Sequence, residues 1–123
     1  MSDIQVFRRA QIEYSDYGEQ PKDGSSKLAN TVGTGISKTM GCGYAYFDNV
    51  SIEWTVQYDE IVVVLEGRFL LRVADSLHVL LAGDSIWIPE GTHLRYEGVR
   101  ATIFYAIAPV DWRQRTAVHT RRG

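Results

Sequence analysis

One cysteine, three histidines and three prolines are spread over 123 residues, and each scarcity closes off some chemistry. The lone Cys42 cannot form an internal disulfide, which suits a reducing compartment. Within M-G-C-G-Y it has no His or Lys beside it to activate the thiol, so it reads as a small buried hydrophobe rather than a nucleophile. The histidines, His78, His93 and His119, show no His-x-His spacing, and a firm transition-metal site needs three or four good ligands. Neither a run of about 18 apolar residues nor a charged-then-apolar leader is present, so no membrane span or signal peptide is expected and a cytoplasmic location is. The net charge of −2 and pI near 5.9 supply no electrostatic footprint for nucleic acid or an anionic membrane. Arg113, Arg115, Arg121 and Arg122 read as a solvated basic tail.

What the chain does have is short β-rich segments between turn residues. From residue 44 they are Y-A-Y-F, S-I-E-W-T-V-Q, E-I-V-V-V-L, R-F-L-L-R-V, L-H-V-L-L, S-I-W-I, H-L-R-Y-E and A-T-I-F-Y-A-I-A, punctuated by Asp-Asn, Glu-Gly, Asp-Ser, Gly-Asp and Pro-Glu-Gly. Eight strands without a helical period predict a sandwich or barrel. Ile61 to Leu65 is apolar at consecutive positions, so both faces should be covered, one by the barrel interior and one by the opposing sheet or a second subunit. Phe69, Leu71 and Val73 alternate with Arg68 and Arg72, as a strand with one wet face does. His78, between Leu77 and Val79, reads as a surface residue. Residues 1–43 are less regular: I-Q-V-F suits an edge strand, and Y-G-E-Q-P-K-D-G-S-S a polar loop. No internal repeat is visible, and the length allows one domain. The division expected is an N-terminal arm and loop at 1–39, a barrel core at 40–112 and a tail at 113–123.

Two segments carry a specific pattern, D-E-I-V-V-V-L-E-G at 59–67 and A-G-D-S-I-W-I-P-E-G at 82–91. They resemble the two motifs of the cupin superfamily. In the first motif a Glu-x6-Gly follows a His-x-His pair, and here Glu60 and Gly67 are kept while the histidine slots hold Trp54 and Val56. In the second, Gly83, Pro89 and Gly91 keep their spacing, while the histidine slot is Leu94 and the Asn slot Gly98. Only Glu60 survives of four ligand positions. His93 lies one residue before its slot, an offset that should point it out of the barrel unless a bulge intervenes. Together with W-T-V-Q-Y-D-E and a closing A-P-V-D-W, this pattern over about 40–112 resembles the cupin domain of the EutQ family of ethanolamine-utilization proteins. Members of that family carry an extra N-terminal region, in whose place this chain has a short leader. The resemblance implies an all-β, RmlC-like jelly-roll barrel, a setting in ethanolamine catabolism near a bacterial microcompartment, and a link to acetate-kinase activity.

The residues themselves point to a barrel site with no cofactor and no tight metal. An inward Glu60 that has lost its cation among apolar walls should have a raised pKa, suited to acid/base work or to holding a ligand, with Tyr58 beside it. The rival reading has Glu60 merely tying down the turn at Tyr58 and Asp59. Trp54, Val56 and Leu94 occupy the former ligand slots, and Trp54, Trp87, Tyr46, Tyr96 and Tyr105 could supply aromatic lining. The segment G-T-G-I-S-K-T at 33–39 imitates a phosphate loop but lacks its glycines and a following helix. The expected function is binding of a small polar or carboxylic ligand. Acetate-kinase activity, a metal-free lyase, isomerase or cyclase using Glu60 and Tyr58, and a non-enzymatic assembly module are the alternatives. Open sheet edges and an apolar outer face predict a homodimer.

Overall fold

The computed structural model describes residues 3–18 and 20–115. A short 3-10 helix, Arg9–Gln11, precedes eight strands: β1 (Ser15–Asp16), β2 (Ser25–Val32), β3 (Gly41–Asp48), β4 (Ser51–Thr55), β5 (Asp59–Val73), β6 (Ser76–Leu81), β7 (Ser85–Ile88) and β8 (His93–Ala108). Two of these merge segments that the turn residues had separated. E-I-V-V-V-L and R-F-L-L-R-V form the single β5, and H-L-R-Y-E and A-T-I-F-Y-A-I-A the single β8. Glu66 and Gly67 therefore mark a bend rather than an end, with the β5–β8 register shifting on either side of Glu66. Gly67 has φ +73°, and a Cβ there would sit 2.0 Å from the Arg100 carbonyl oxygen, so only glycine passes this corner without strain.

The bent strands build two layers. The first half of β5 pairs with the second half of β8, which continues through β3 and β2 to β1, while β7 extends the other side of β5. The second half of β5 pairs with the first half of β8 and with β6, and β4 flanks β8. All of these pairings are antiparallel. Between the layers lies the core. Val62, Val64, Phe69 and Ala101 are fully buried, and burial of each large apolar side chain contributes about 1.5–3 kcal/mol. Phe47 joins the layers, its ring 5.8 Å from Phe69 and 5.7 Å from Tyr96.

Residues 1–39 are not wholly an arm outside the barrel. β2 runs along β3 in a seven-residue register broken by one bulge, with Ser26, Leu28 and Asn30 facing inward opposite Phe47, Ala45 and Gly43. Polar inward residues hid this strand in the sequence, whereas I-Q-V-F, expected as an edge strand, forms no strand pairing among the described residues. Along 61–65 only one face is enclosed by the opposing layer: Val62 and Val64 are at 0 % exposure, but Ile61 remains 42 % exposed on the outside. His78 lies exposed on β6, as its strand pattern indicated. No helix among the described residues is long and apolar enough to cross a membrane.

Candidate functional site

A cavity of about 340 Å3 opens inside the barrel, and its wall is assembled from parts of the chain that are far apart in sequence. β5 contributes Glu60, β8 contributes Tyr96 and Tyr105, β4 contributes Trp54, and Tyr58 comes from the β4–β5 connection. Asn30 comes from β2 and Tyr17 from the N-terminal segment. Trp112 and Arg113, in a helical turn at 112–115, complete it. Strand alternation explains most of this convergence, since Glu60, Val62 and Val64 share the inward face of β5 and Tyr105, Ile103 and Ala101 that of β8.

Glu60 is 5 % exposed, and Tyr96 Oη donates to its Oε1 at 2.7 Å. Burial raises the carboxyl to about 7, against the opposing pull of the Tyr96 hydrogen bond. Burial also pushes Tyr17, Tyr58, Tyr96 and Tyr105 above the usual phenol range, and the Glu60 charge adds to it in each case. These phenols are therefore neutral, and they can donate or accept hydrogen bonds. Tyr105 Oη donates to Asn30 Oδ1, which fixes that ring over β3. Trp112 packs edge-on against Tyr58 at 5.1 Å and Trp54 at 5.9 Å, and the Arg113 guanidinium lies 4.8 Å from the Trp112 ring centre. Trp54 Nε1 is buried without an acceptor at hydrogen-bond distance, although the indole is near enough to favour the Tyr58 phenolate slightly. A larger groove of about 620 Å3 lies beside Ser51, Leu70 and Glu97. Its acid is already engaged, because Arg72 Nε reaches Glu97 at 3.0 Å.

Glu60, Tyr58, Trp54 and Tyr105, singled out in the sequence, meet at this cavity. The phenol bonded to Glu60 is Tyr96, however, not Tyr58. The turn after Tyr58 carries a tether of its own, Asp59 Oδ1, which accepts from Glu90 N at 2.9 Å. Val56 and Leu94 are core residues at 1 % and 2 % exposure and do not line the cavity. Trp87 is 59 % exposed, because Ile86 and Ile88 take the inward positions of β7. Tyr46 likewise faces away, between the inward Ala45 and Phe47. Of the basic tail, Arg113 belongs to the cavity wall and Arg115 pairs with Asp111 at 2.7 Å. Arg121, Arg122 and His119 lie outside the described residues. Tyr17, Asn30, Trp112 and Arg113 were not recognised as site residues. For Trp112 the signal lies in the closing A-P-V-D-W, and for Asn30 in the two-residue period of Ser26, Leu28 and Asn30.

The residues present do not fit the metal that cupin barrels commonly hold. Trp54 pairs with Leu94 and Thr55 with His93 across β4 and β8, so the former ligand slots carry an indole and an isobutyl group. His93 points out of the barrel, hydrogen-bonding Thr55 Oγ1 at 2.6 Å and Glu53 Oε2 at 2.8 Å. Among the described residues no three of His, Cys, Asp and Glu converge on one point.

Comparison with known proteins agrees with this architecture. The structure of EutQ from Clostridium difficile superposes with a TM-score of 0.79 over 87 % of this chain and 88 % of that one, at 22 % identity. An ethanolamine utilization protein of Salmonella typhimurium gives 0.77 over 87 % of each chain, at 25 % identity. In sequence, the Salmonella typhimurium protein named acetate kinase EutQ is 33 % identical over 75 residues, covering 60 % of this chain and 33 % of the relative. The chain thus spans about a third of the length of that relative. Residues 5–114 match the family described as ethanolamine utilisation protein EutQ, so the barrel, its two glycine-framed motifs and the retained Glu60 are those of a chain that belongs to the EutQ family.

Proposed function

We propose that this EutQ-family cupin binds a small polar metabolite in its barrel without a tightly held metal, as a cytoplasmic homodimer in an ethanolamine-utilisation setting. The carrying observation is Glu60, an acid at 5 % exposure that opens into a cavity of about 340 Å3 with one phenol hydrogen-bonded to it. A carboxyl buried for structure alone is normally paired or saturated with hydrogen bonds. Here one side is left toward the cavity, which is where a ligand would complete it. The test is a thermal-shift panel of small acids, amines and nucleotides, with Glu60→Gln measured beside the wild type. The variant should fold, being nearly isosteric, and lose a confirmed ligand's affinity by about tenfold or more, which corresponds to about 1.4 kcal/mol. Unchanged affinity for that ligand defeats the proposal.

Two enzymatic readings have their own support. A carboxyl near 7 beside a neutral phenol can exchange protons at physiological pH, as a metal-free lyase, isomerase or cyclase requires, with Tyr96 in the place first given to Tyr58. Exchange of a substrate analogue's acidic hydrogen into solvent, lost in Glu60→Gln, would support that activity. The acetate-kinase reading follows from the names of the relatives. Against it, residues 33–39 form a turn that leads straight into β3, with no helix to aim at a phosphate. An ATP-dependent rise in melting temperature would restore it.

A further inference from the structure

We propose that the cavity takes a small organic ammonium ion, seated against Glu60 within the rings of Trp54, Tyr58, Tyr96, Tyr105 and Trp112, and carrying an oxygen that accepts from Trp54 Nε1. This rests on the reading of the cavity as a ligand site and supplies the ligand's chemistry.

Charge is the first argument. A buried carboxylate is costly without an opposite charge, and the wall around Glu60 holds no lysine or histidine. Its one cationic residue, Arg113, is exposed, with the guanidinium lying over the Trp112 ring rather than on the acid. When Glu60 is ionised, its counter-charge is thus left to a ligand. The aromatic lining is the second argument, because phenol and indole faces attract a weakly hydrated cation, and such rings gathered around an acid make a quaternary-ammonium site. A carboxylate ligand would instead meet the Glu60 charge in a low-dielectric enclosure. The third argument is Trp54 Nε1, a buried donor without an acceptor, which selects an oxygen-bearing molecule over a bare alkylammonium.

The groups facing Glu60 are Tyr17, Tyr58, Tyr96 and Tyr105 from the N-terminal segment, the β4–β5 connection and β8, with Arg113 at the helical turn and the apolar Ile88 on β7. The phenols stay neutral across the physiological range, so the pH response of a bound cation is that of Glu60.

Calorimetric titration of the full chain with tetramethylammonium, choline and acetate at pH 6 and pH 8 tests this. Tetramethylammonium should bind about tenfold more tightly at pH 8, where Glu60 is mostly ionised, and Glu60→Gln should abolish both the binding and its pH dependence. Choline should bind more tightly than tetramethylammonium, and Trp54→Phe should bring the two affinities together. Arg113→Ala, which takes a positive charge off the cavity wall, should tighten ammonium binding. Tetramethylammonium binding that survives Glu60→Gln overturns the proposal. So does acetate binding at pH 8 that depends on Arg113, which would make this an anion site and leave the broader cavity reading standing. If neither ion binds, the ammonium proposal fails alone provided a neutral compound from the panel binds the wild type and not Glu60→Gln. If nothing binds in the barrel, both readings fail.

Discussion

A carboxyl raised from 4.5 to about 7 by burial binds its proton more tightly in the folded chain than in the unfolded one. Between those two values the native state holds more protons, so stability falls as pH rises through this window and stays lower above 7. The cumulative effect is on the order of 3 kcal/mol, from about 1.4 kcal/mol per pKa unit. Glu60→Gln removes the ionisation but keeps an oxygen for Tyr96 Oη. Its melting temperature should match the wild type at pH 5 and exceed it by several degrees at pH 8. A melting-temperature difference that is flat from pH 5 to pH 8 would show that Glu60 is not perturbed. Tyr96→Phe tests the partner. Losing a hydrogen bond that favours the carboxylate should destabilise by about 1 kcal/mol or more, with the larger effect at pH 8.

Strand pairing decides which of the inward residues reach the cavity. Gly43 on β3 stands opposite both Asn30 on β2 and Tyr105 on β8. A Cβ at that position would lie 2.4 Å from the Ala29 carbonyl oxygen and 2.6 Å from Tyr105 Oη. The glycine lets the Tyr105 ring cross β3 to Asn30. Gly43→Ala should therefore cost about 1–3 kcal/mol through forced backbone and ring displacement, seen in chemical denaturation, and shift the tyrosine near-ultraviolet dichroism. The cupin ligand positions made Glu60 and Trp54 legible as inward residues, and strand alternation turned the one-residue offset of His93 into an outward one. Neither could distinguish Val56 and Leu94, which fill the core, from Trp54, which lines the cavity. That distinction depends on depth along the barrel axis, a coordinate with no period in sequence.

At the scale of the molecule the outer face of β5 and β7 offers an apolar surface for the proposed dimer. Ile61 and Trp87 are cross-strand partners at 42 % and 59 % exposure, an apolar pair of the kind that anchors interfaces. Light scattering should report about twice the 13.9 kDa chain mass. Trp87→Glu should shift it toward the monomer and leave the barrel's dichroism intact, whereas a monomeric wild type at micromolar concentration would rule out the dimer. Elemental analysis after mild purification should find well below one equivalent of any transition metal, since indole, isopropyl and isobutyl groups fill the former ligand slots. Chelation should leave the melting temperature unchanged. Near-stoichiometric metal lost in His93→Ala would refute this.

The β period, the glycine-framed motifs and the single surviving acid were determined by the sequence, because turn residues, alternation and ligand spacing are local properties of the chain. Tertiary structure decided the rest. It joined four of the eight expected segments into the two strands that bend across the layers, drew the polar β2 into the barrel, and gave Glu60 Tyr96 in place of its neighbour Tyr58. It also brought Trp112 and Arg113 onto the cavity from beyond the last strand. These pairings join residues tens of positions apart, and closure of the barrel, rather than any neighbour in sequence, selects them.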